Sequence, residues 1–377
     1  MMPAEKNRKS QKSQKSKKKQ TVILGIETSC DETAAAVVAD GRKVLSNVVS
    51  SQIDIHREYG GVVPEIAARK HVESISFIVQ QALNIANVSL DDIDGIAVSN
   101  GPGLVGALLV GVSFAKSLAF VKNIPIMGVH HVYSHICANY LEDLPPLAGS
   151  ENPINPTNSI TSIKPPFICL VVSGGHSHIV EVTDYNNCTV LARTRDDAVG
   201  EAFDKVGRIL NLSYPGGPEI DKLAVFGDAA AVKFPKSNFE NSLDFSFSGL
   251  KSAVFQYLQK NSKNSTTSTA DIADVADKAD IAASFQKTAI EILVEHTIKA
   301  CKQQNLSQIA LAGGVAANTG LRSAISAACA ANNILLHLPN PQYCTDNAAM
   351  VASGGYYKYQ ANLFDEYNLN ANPSKDI

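Results

Sequence analysis

The chain has 377 residues, 45% hydrophobic and 18% charged, a globular balance that excludes a disulfide-stapled miniprotein, a coiled coil and a wholly disordered chain. Length of this order predicts two domains. The formal charge of −3 hides an asymmetry: residues 1–20 hold eight Lys or Arg against Glu5 alone, which leaves 25 basic and 35 acidic residues in a body near −10, unlike a general nucleic-acid binder.

The Lys-, Ser- and Gln-rich segment 1–20 has no apolar stripe and reads as a disordered basic tail. Thr21–Thr28, Ala34–Ala39 and Val44–Val49, with an Asp40-Gly41 turn, predict an antiparallel meander. Pro64 starts a helical period through Ile66, His71, Ile75, Ile78 and Leu83. A strand at Ile96–Ser99, a helix from Leu104 to Phe120, a strand at Ile124–Val129 and a helix from His131 follow, a mixed α/β succession. The apolar run Gly103–Phe120 meets Lys116 and several glycines, too interrupted to span a bilayer, and is expected as a buried helix.

Residues 143–166, rich in Pro, Asn, Ser and Thr, read as a linker or surface insertion that closes an N-terminal lobe over 21–142. Strands at Phe167–Ser173, Ser177–Val182 and Cys188–Ala192 then restart the order of the first half. They open a C-terminal lobe, 167–345, with a low-complexity insertion near 261–280. A helix near 346–361 is expected to pack back on the first lobe. The seven cysteines are widely spaced without a C-x-x-C pair, which predicts a reducing compartment, the cytoplasm rather than an organellar matrix.

Four sites put glycines or a tight turn after a strand: Glu27–Thr33 after Gly25, Gly101-Pro102-Gly103, Ser173-Gly174-Gly175-His176 and Ala312-Gly313-Gly314-Val315. Glycine lets a ligand approach the amides, and helix N-termini behind such turns attract anions. Any one strand-to-helix turn accepts glycine; four that alternate between the halves favour a nucleotide cleft. His131 and His135 stand at i and i+4, a metal-ligand spacing equally compatible with satisfied histidines. Val132 occupies the place where an H-E-x-x-H protease needs its glutamate, so that reading fails.

Ten segments then carry a resemblance: Gly-Ile-Glu-Thr-Ser-Cys-Asp-Glu-Thr at 25–33, Gly-Gly-Val-Val-Pro-Glu at 60–65, Gly-Pro-Gly-Leu-Val-Gly-Ala-Leu at 101–108, His-His-x-x-x-His at 130–135, Val-Ser-Gly-Gly-His at 172–176, Gly-Glu-Ala-Phe-Asp-Lys at 200–205, Tyr-Pro-Gly-Gly-Pro at 214–218, Phe-Ser-Phe-Ser-Gly-Leu-Lys at 245–251, Ala-Gly-Gly-Val-Ala-Ala-Asn at 312–318 and Cys-Thr-Asp-Asn at 344–347. Over residues 22–358 the chain resembles the bacterial and organellar tRNA adenosine threonylcarbamoyltransferases, once called O-sialoglycoprotein endopeptidases.

The resemblance implies an α/β, actin/Hsp70-like (ASKHA) ATPase fold of two ribonuclease-H-like lobes around a central cleft. It implies a divalent metal on His131, His135 and Asp346, with iron favoured over zinc. It places an adenylate (ATP or threonylcarbamoyl-AMP) on Val171, Val172, Ser173, Gly174, Gly175, Asp204, Gly217, Asp221 and Asn318. The implied reaction moves the threonylcarbamoyl group from threonylcarbamoyl-AMP to the exocyclic amine of the adenine beside the anticodon in tRNAs reading codons that begin with A. Glu32, and more weakly Asp31, are candidates to take the amine proton, because no Ser or Cys with an adjacent base stands as a nucleophile. Implied partners are tRNA, a paralogous non-catalytic subunit (TsaB-like) and a P-loop ATPase (TsaE-like), with no membrane; the Lys-rich tail, extra to the family pattern, reads equally as an arm for tRNA phosphates or as a solvated extension without a role. His178, which departs from the family pattern, is expected as an extra surface histidine. Two alternatives remain at this level: a small-molecule kinase of the same fold with Glu32 as base, and an ATP-dependent scaffold. Neither calls for a tightly bound transition metal.

Overall fold

A computed structural model describes residues 20–142, 163–237, 239–262 and 275–377. The expected disordered tail, nearly all of the 143–166 segment and the core of the 261–280 insertion lie outside the described residues. The first half runs β1 (Val22–Glu27), β2 (Glu32–Ala39), β3 (Lys43–Ser51), α1 (Ile53–Arg57), α2 (Pro64–Ala86), β4 (Gly95–Gly101), α3 (Val105–Lys122), β5 (Ile126–His130) and α4 (His131–Cys137). The meander β1–β2–β3 is antiparallel, turning through Asp40 and Gly41, both with positive φ, while β4 and β5 add in parallel to give the order β3-β2-β1-β4-β5. Helix α2 starts with Pro64 in its first turn, where its missing N–H is no loss, and stops at left-handed Asn87.

The second half runs β6 (Phe167–Val172), β7 (Ser177–Asp184), β8 (Asn187–Arg193), α5 (Val199–Ile209), α6 (Gly216–Ala224), α7 (Ser248–Ser262), α8 (Val275–Gln303), β9 (Gln308–Ala312), α9 (Thr319–Ala331), β10 (Leu335–His337) and α10 (Ala348–Gln360). Its sheet, β8-β7-β6-β9-β10, repeats the first lobe's order and strand directions, three antiparallel strands followed by two parallel ones. The expected return of the same topology without the same residues is what the backbone has. Helix α8 begins inside the low-complexity stretch, as its Ala- and Asp-rich end allows.

Period-2 alternation divides the strands between three cores. In β1 and β2, Leu24, Ile26, Ala35 and Val37 face an outer core with α2 and α3. In β6 and β9, Ile168, Leu170, Ile309 and Leu311 face a second outer core with α5 to α9. The opposite faces, with Ile23, Ala34, Ala36, Cys169, Val171, Ala310 and Ala312, enclose a central core that holds α4 and α10. The molecule is therefore five layers deep, with two helices between two sheets.

The middle layer is thin because its residues are small. A Cβ on Gly25 would stand 2.2 Å from the Ala348 carbonyl oxygen and 2.8 Å from the Ala352 nitrogen, and one on Gly355 would stand 2.3 Å from the Ala97 Cβ. Helix α10 thus lies almost on the backbone of β1 and β4.

Helix α3 differs from its expectation. It buries only Ala107, Leu108, Gly111, Val112, Ala115 and Ala119 and leaves Val105, Leu109, Phe120 and Val121 exposed, because it covers the outside of the first sheet instead of lying within a core. Among the described residues it is the one helix long and apolar enough to cross a membrane, and a third of it is buried. The chain beyond α10 also returns to the first lobe. Asn372 donates its N–H to the Asn100 carbonyl (2.7 Å), Gly103 donates to Pro373, and Lys375 Nζ reaches Asn100 Oδ1 at 2.8 Å, so this segment clasps the Gly101-Pro102-Gly103 turn.

Gly25→Val drives two methyl groups into the α10 backbone and is expected to lower unfolding free energy by about 3 kcal/mol. Gly61→Ala, where an added Cβ meets nothing within 4 Å, is expected to change it by no more than about 0.5 kcal/mol. Urea unfolding of both variants measures the difference; equal midpoints contradict the close-packed middle layer.

Candidate active site

The middle layer delivers the site. Helix α4 starts directly at the end of β5, so His131 occupies its first position and His135 follows one turn later, both buried. Asp346 lies just ahead of α10, whose first turn is capped by Asn347 Oδ1 accepting from the Met350 N–H at 3.1 Å. Because both helices begin at the same end of the layer, Asp346 Oδ1 stands 3.2 Å from His135 Nε2 and 3.6 Å from His131 Nε2. The three candidate ligand atoms lie within 4.8 Å of one another.

These residues fit a cation. Both ring nitrogens of His135 are buried without a directed hydrogen bond, and Nε2 is aimed at Asp346 as a ligand lone pair would be. Two imidazoles and one carboxylate form a donor set that leaves further coordination positions open.

Sequence reasoning gave no role to Glu27, although it quoted the segment containing it. Glu27 ends β1 with no exposure and accepts from the Ser29 N–H at 2.6 Å and from the Ser99 hydroxyl at 2.5 Å. Its Oε2 lies 3.1 Å from His131 Nδ1, and the Ser29 hydroxyl lies 3.0 Å from the same nitrogen. The available sequence signal was a glutamate closing an otherwise apolar strand, a residue rarely buried without a partner.

Charge is concentrated here. Burial works against a charged His131, yet Asp346 and Glu27 on either side raise its pKa to about 9. Burial raises the Asp346 carboxyl, but His131 and His135 outweigh it and hold that carboxyl well below the usual carboxylate range. Glu27 behaves likewise: burial raises it, and His131 brings it below its ordinary value. Glu32 is the contrast. Burial first, then the negative charges of Asp346 and Asp31, push it well above the usual range, while Ser51 donates to its Oε1 at 3.1 Å. Cys30, between Ser29 and Asp31, is pushed far up by burial and the same carboxylates, which rules out a resting thiolate. His176 comes close to His131, ring centroids 6.5 Å apart, and burial with the neighbouring histidines lowers its pKa to about 3. His178, expected on the surface, is half-buried on β7 because that strand is interior to its sheet.

In the second lobe, Val171 and Val172 are fully buried on opposite faces of β6, in the central and outer cores, so only their backbone faces a ligand. The turn after them is open: a Cβ on Gly174 or Gly175 meets nothing within 4 Å. Under this turn the packing is tight, since a Cβ on Gly200 would come 2.5 Å from the Ser173 carbonyl oxygen. One on Gly313, whose φ is +87°, would come 2.3 Å from that of Val172. A Cβ on Gly314 would stand 4.0 Å from the Thr345 methyl, so the glycine-lined floor lies near the segment bearing Asp346.

The remaining adenylate candidates form a chain of capping contacts. Asp204 on α5 accepts from Gly216 and Gly217 at the start of α6 through Oδ1 (2.8 and 3.4 Å), and burial raises its pKa. Asp221 on α6 accepts from the N–H (2.9 Å) and hydroxyl (3.0 Å) of Thr319. Asn318 caps α9 by accepting from Leu321 and donates to Gln286 of α8, both at 2.8 Å, so its amide is committed at both ends. Across the cleft, Arg57 Nε donates to the Tyr214 carbonyl (3.2 Å) and Arg208 to the Gly60 carbonyl (2.7 Å). These bonds bring the 60–65 segment, singled out in the sequence without a role, and the 214–218 segment, which holds the adenylate candidate Gly217, each against the opposite lobe.

Helix N-termini follow two of the four glycine sites, and the other two are the strand-to-strand turns that the sequence predicts. Thr28–Asp31 and Ser173–His176 are β-hairpin turns, whereas Gly101–Gly103 and Gly313 precede α3 and a short 3-10 turn. The reason is topological: the first two sites join antiparallel neighbours. All four still stand at the carboxyl ends of the adjacent parallel strands β1 and β4, or β6 and β9, where ligands bind in α/β sheets.

A family model described as TsaD, tRNA N6-adenosine threonylcarbamoyltransferase, matches residues 43–353. A curated relative with the name tRNA N6-adenosine threonylcarbamoyltransferase, from Clostridium novyi, is 52% identical over 358 residues, covering 94% of this chain and 98% of that one. Its namesake from Clostridium perfringens is 50% identical over 354 residues, covering 94% and 97%. Among solved structures, full-length HypF in its phosphate- and nucleotide-bound form aligns with a TM-score of 0.56 at 12% identity, over 90% of this chain and 56% of that one. HypF of T. kodakarensis aligns with a TM-score of 0.57 at 14% identity, over 93% and 49%. At such identity the likeness is one of fold, the two-lobed actin/Hsp70-like (ASKHA) architecture.

Asn318→Ala removes the α9 cap and the Gln286 bond together, and is expected to lower unfolding free energy by about 1–2 kcal/mol. Chemical denaturation measures it, and an unchanged midpoint contradicts the capping role.

Proposed function

The chain belongs to the tRNA N6-adenosine threonylcarbamoyltransferase family, and from that premise we propose how its own residues carry the reaction. The threonylcarbamoyl group passes from threonylcarbamoyl-AMP to N6 of the adenine adjacent to the anticodon. The amine nitrogen attacks the carbamoyl carbon, the bond from that carbon to the phosphate oxygen breaks, AMP leaves, and one amine proton is taken up. Negative charge grows on the carbamoyl oxygen and on the departing phosphate, so fixed donors aimed at those atoms accelerate the step.

The observation that carries this reading is the convergence of His131, His135 and Asp346 beside a glycine-lined floor. His131, His135 and Asp346 would hold the divalent cation, Fe2+, which a two-histidine, one-carboxylate set with open positions suits, with Zn2+ as the other candidate, and the cation would supply a Lewis acid for substrate oxygens and a countercharge for the acidic cluster. The amides of Gly174 and Gly175 face the phosphate, since no side chain stands in their way, while the Ser173 N–H, donated to the His176 carbonyl at 2.8 Å, holds the turn closed behind them. The backbone of Val171 and Val172 sets the height of that turn. Gly217 and the free oxygen of Asp204 face the ribose, with Asp221 and Asn318 holding the wall behind them. Glu32 takes the amine proton once the negative charge around it is countered, and Asp31 shapes its field. The kinase and scaffold alternatives have no use for two buried histidines and a carboxylate at this spacing.

A tRNA substrate follows from the family. Val72 and Phe77 on α2 and Val105 and Leu109 on α3 are exposed apolar side chains on the outside of the first lobe, which supports docking of a paralogous TsaB-like subunit; the TsaE-like P-loop ATPase rests on the family alone. Seven free cysteines support the cytoplasm as the compartment.

His131→Ala or Asp346→Ala is expected to strip the cation and slow transfer on the order of 100-fold or more, the size of several kcal/mol of charge stabilisation. Incubation with tRNA, threonine, bicarbonate, ATP and the partner proteins, followed by nucleoside mass analysis and metal analysis, measures both. Stoichiometric metal in purified His131→Ala removes the triad. Gly175→Val is expected to leave the melting temperature unchanged, because the side chain enters open space, and to raise the adenylate Kd at least about tenfold by blocking the amides. Wild-type adenylate affinity in that variant removes the glycine turn from the substrate site.

A further inference from the structure

Glu27 is built into the centre of the molecule, lies outside the triad, and has no part in the mechanism above. A carboxylate with no exposed surface is expensive to keep unless every acceptor position is used. Here Oε1 takes a peptide N–H, from Ser29 at 2.6 Å, while Oε2 takes the Ser99 hydroxyl at 2.5 Å and faces His131 Nδ1 at 3.1 Å. Ser29 and Ser99 belong to the turn after β1 and to the neighbouring strand β4, so the carboxylate is fastened to the sheet before it meets the histidine.

An acceptor-only oxygen facing Nδ1 requires the imidazole proton on that nitrogen. The lone pair is then on Nε2, which faces Asp346 Oδ1 at 3.6 Å. His135 has no counterpart, since its Nδ1 is buried without a partner. We propose that Glu27 is a positioning residue that holds His131 in the Nδ1–H tautomer and fixes its ring so that Nε2 is presented to the cation. The inference rests on the assignment of His131 as a ligand. A carboxylate behind a ligating histidine both orients the ring and raises its basicity.

Glu27→Gln tests it with one atom changed. The Ser29 N–H is an obligate donor and claims the new amide oxygen, so the amide NH2 takes the place of Oε2 and presents a hydrogen to His131 Nδ1. The variant chain, stripped of metal, is titrated with Zn2+ in competition with a chromogenic chelator. The Nδ1–H resonance of His131 is followed by 15N-edited NMR in the zinc-loaded protein. The expected result is a loss of zinc affinity of about 10- to 100-fold and disappearance of the carboxylate-bonded Nδ1–H resonance. Ser99→Ala, which leaves the carboxylate facing His131, keeps that resonance. Should Glu27→Gln fail to fold, Glu27→Asp, with the same charge on a shorter arm, is expected to keep the Nδ1–H tautomer with a smaller loss of affinity. Zinc affinity within twofold of wild type together with an unshifted Nδ1–H resonance in Glu27→Gln overturns the proposal, as does an Nε2–H tautomer in Glu27→Asp. His131→Ala run alongside separates the two levels: metal-free His131→Ala with wild-type Glu27→Gln overturns only the role of Glu27, whereas metal-bound His131→Ala overturns the triad beneath it.

Discussion

The close approach of α10 to the backbone of β1 and β4 is the constraint on which the site depends. Gly25 and Gly355 leave no room for a side chain against Ala348, Ala352 and Ala97. The helix therefore lies at the shortest distance that packing permits, and α4 shares its layer. Two helices confined between two sheets have little freedom to slide, because each displacement presses backbone on backbone. Asp346, at the entry to one helix, and His131 and His135, at the start of the other, meet as a consequence. Larger residues in the layer would part the sheets and draw the carboxylate away from the imidazoles.

That arrangement places charge where the protein is least able to solvate it. Glu27, Asp346 and His131 are all buried or nearly so, and their proximity lowers the pKa of both carboxylates and raises that of the imidazole, whose Nε2 proton a cation would displace. A buried charge cluster adds little to stability, since desolvation offsets attraction. Its place in the middle of an otherwise apolar layer suits the proposed function: histidines and carboxylate already assembled would need no rearrangement to receive a cation.

The second lobe contributes a surface of a different kind. There the candidate residues work through the backbone and through caps. Asp204, Asp221 and Asn318 tie α5, α6, α8 and α9 together, and the open glycine turn after β6 rests on Gly200 and Gly313. The two surfaces come near each other where Gly314 approaches Thr345 and are joined by the reciprocal Arg57 and Arg208 bonds. Both cross-cleft bonds end on backbone carbonyls and lie exposed, so the mouth of the cleft is held by contacts that water can replace.

The sequence alone determined what is local or periodic. The i, i+4 spacing of His131 and His135, the meander of the first three strands, the Pro64 helix start and the repeated strand order of the second half were all legible, because side-chain periodicity and turn chemistry act over a few residues. Ten matched segments extended that reading to family, reaction and a candidate ligand set. What the pattern did not contain was who faces whom. Glu27 looks like any polar strand end until β4 brings Ser99, and α4 brings His131, to its two oxygens. Val171 and Val172 read only as members of the adenylate set until burial on both faces of β6 leaves their backbone alone to serve it. The apolar run of α3 reads as fully buried until the layer order leaves one side of it outside. Each of these was decided by tertiary structure, because burial and hydrogen-bond partnership depend on which elements stack, and stacking here follows from small residues whose value appears only when another backbone arrives against them.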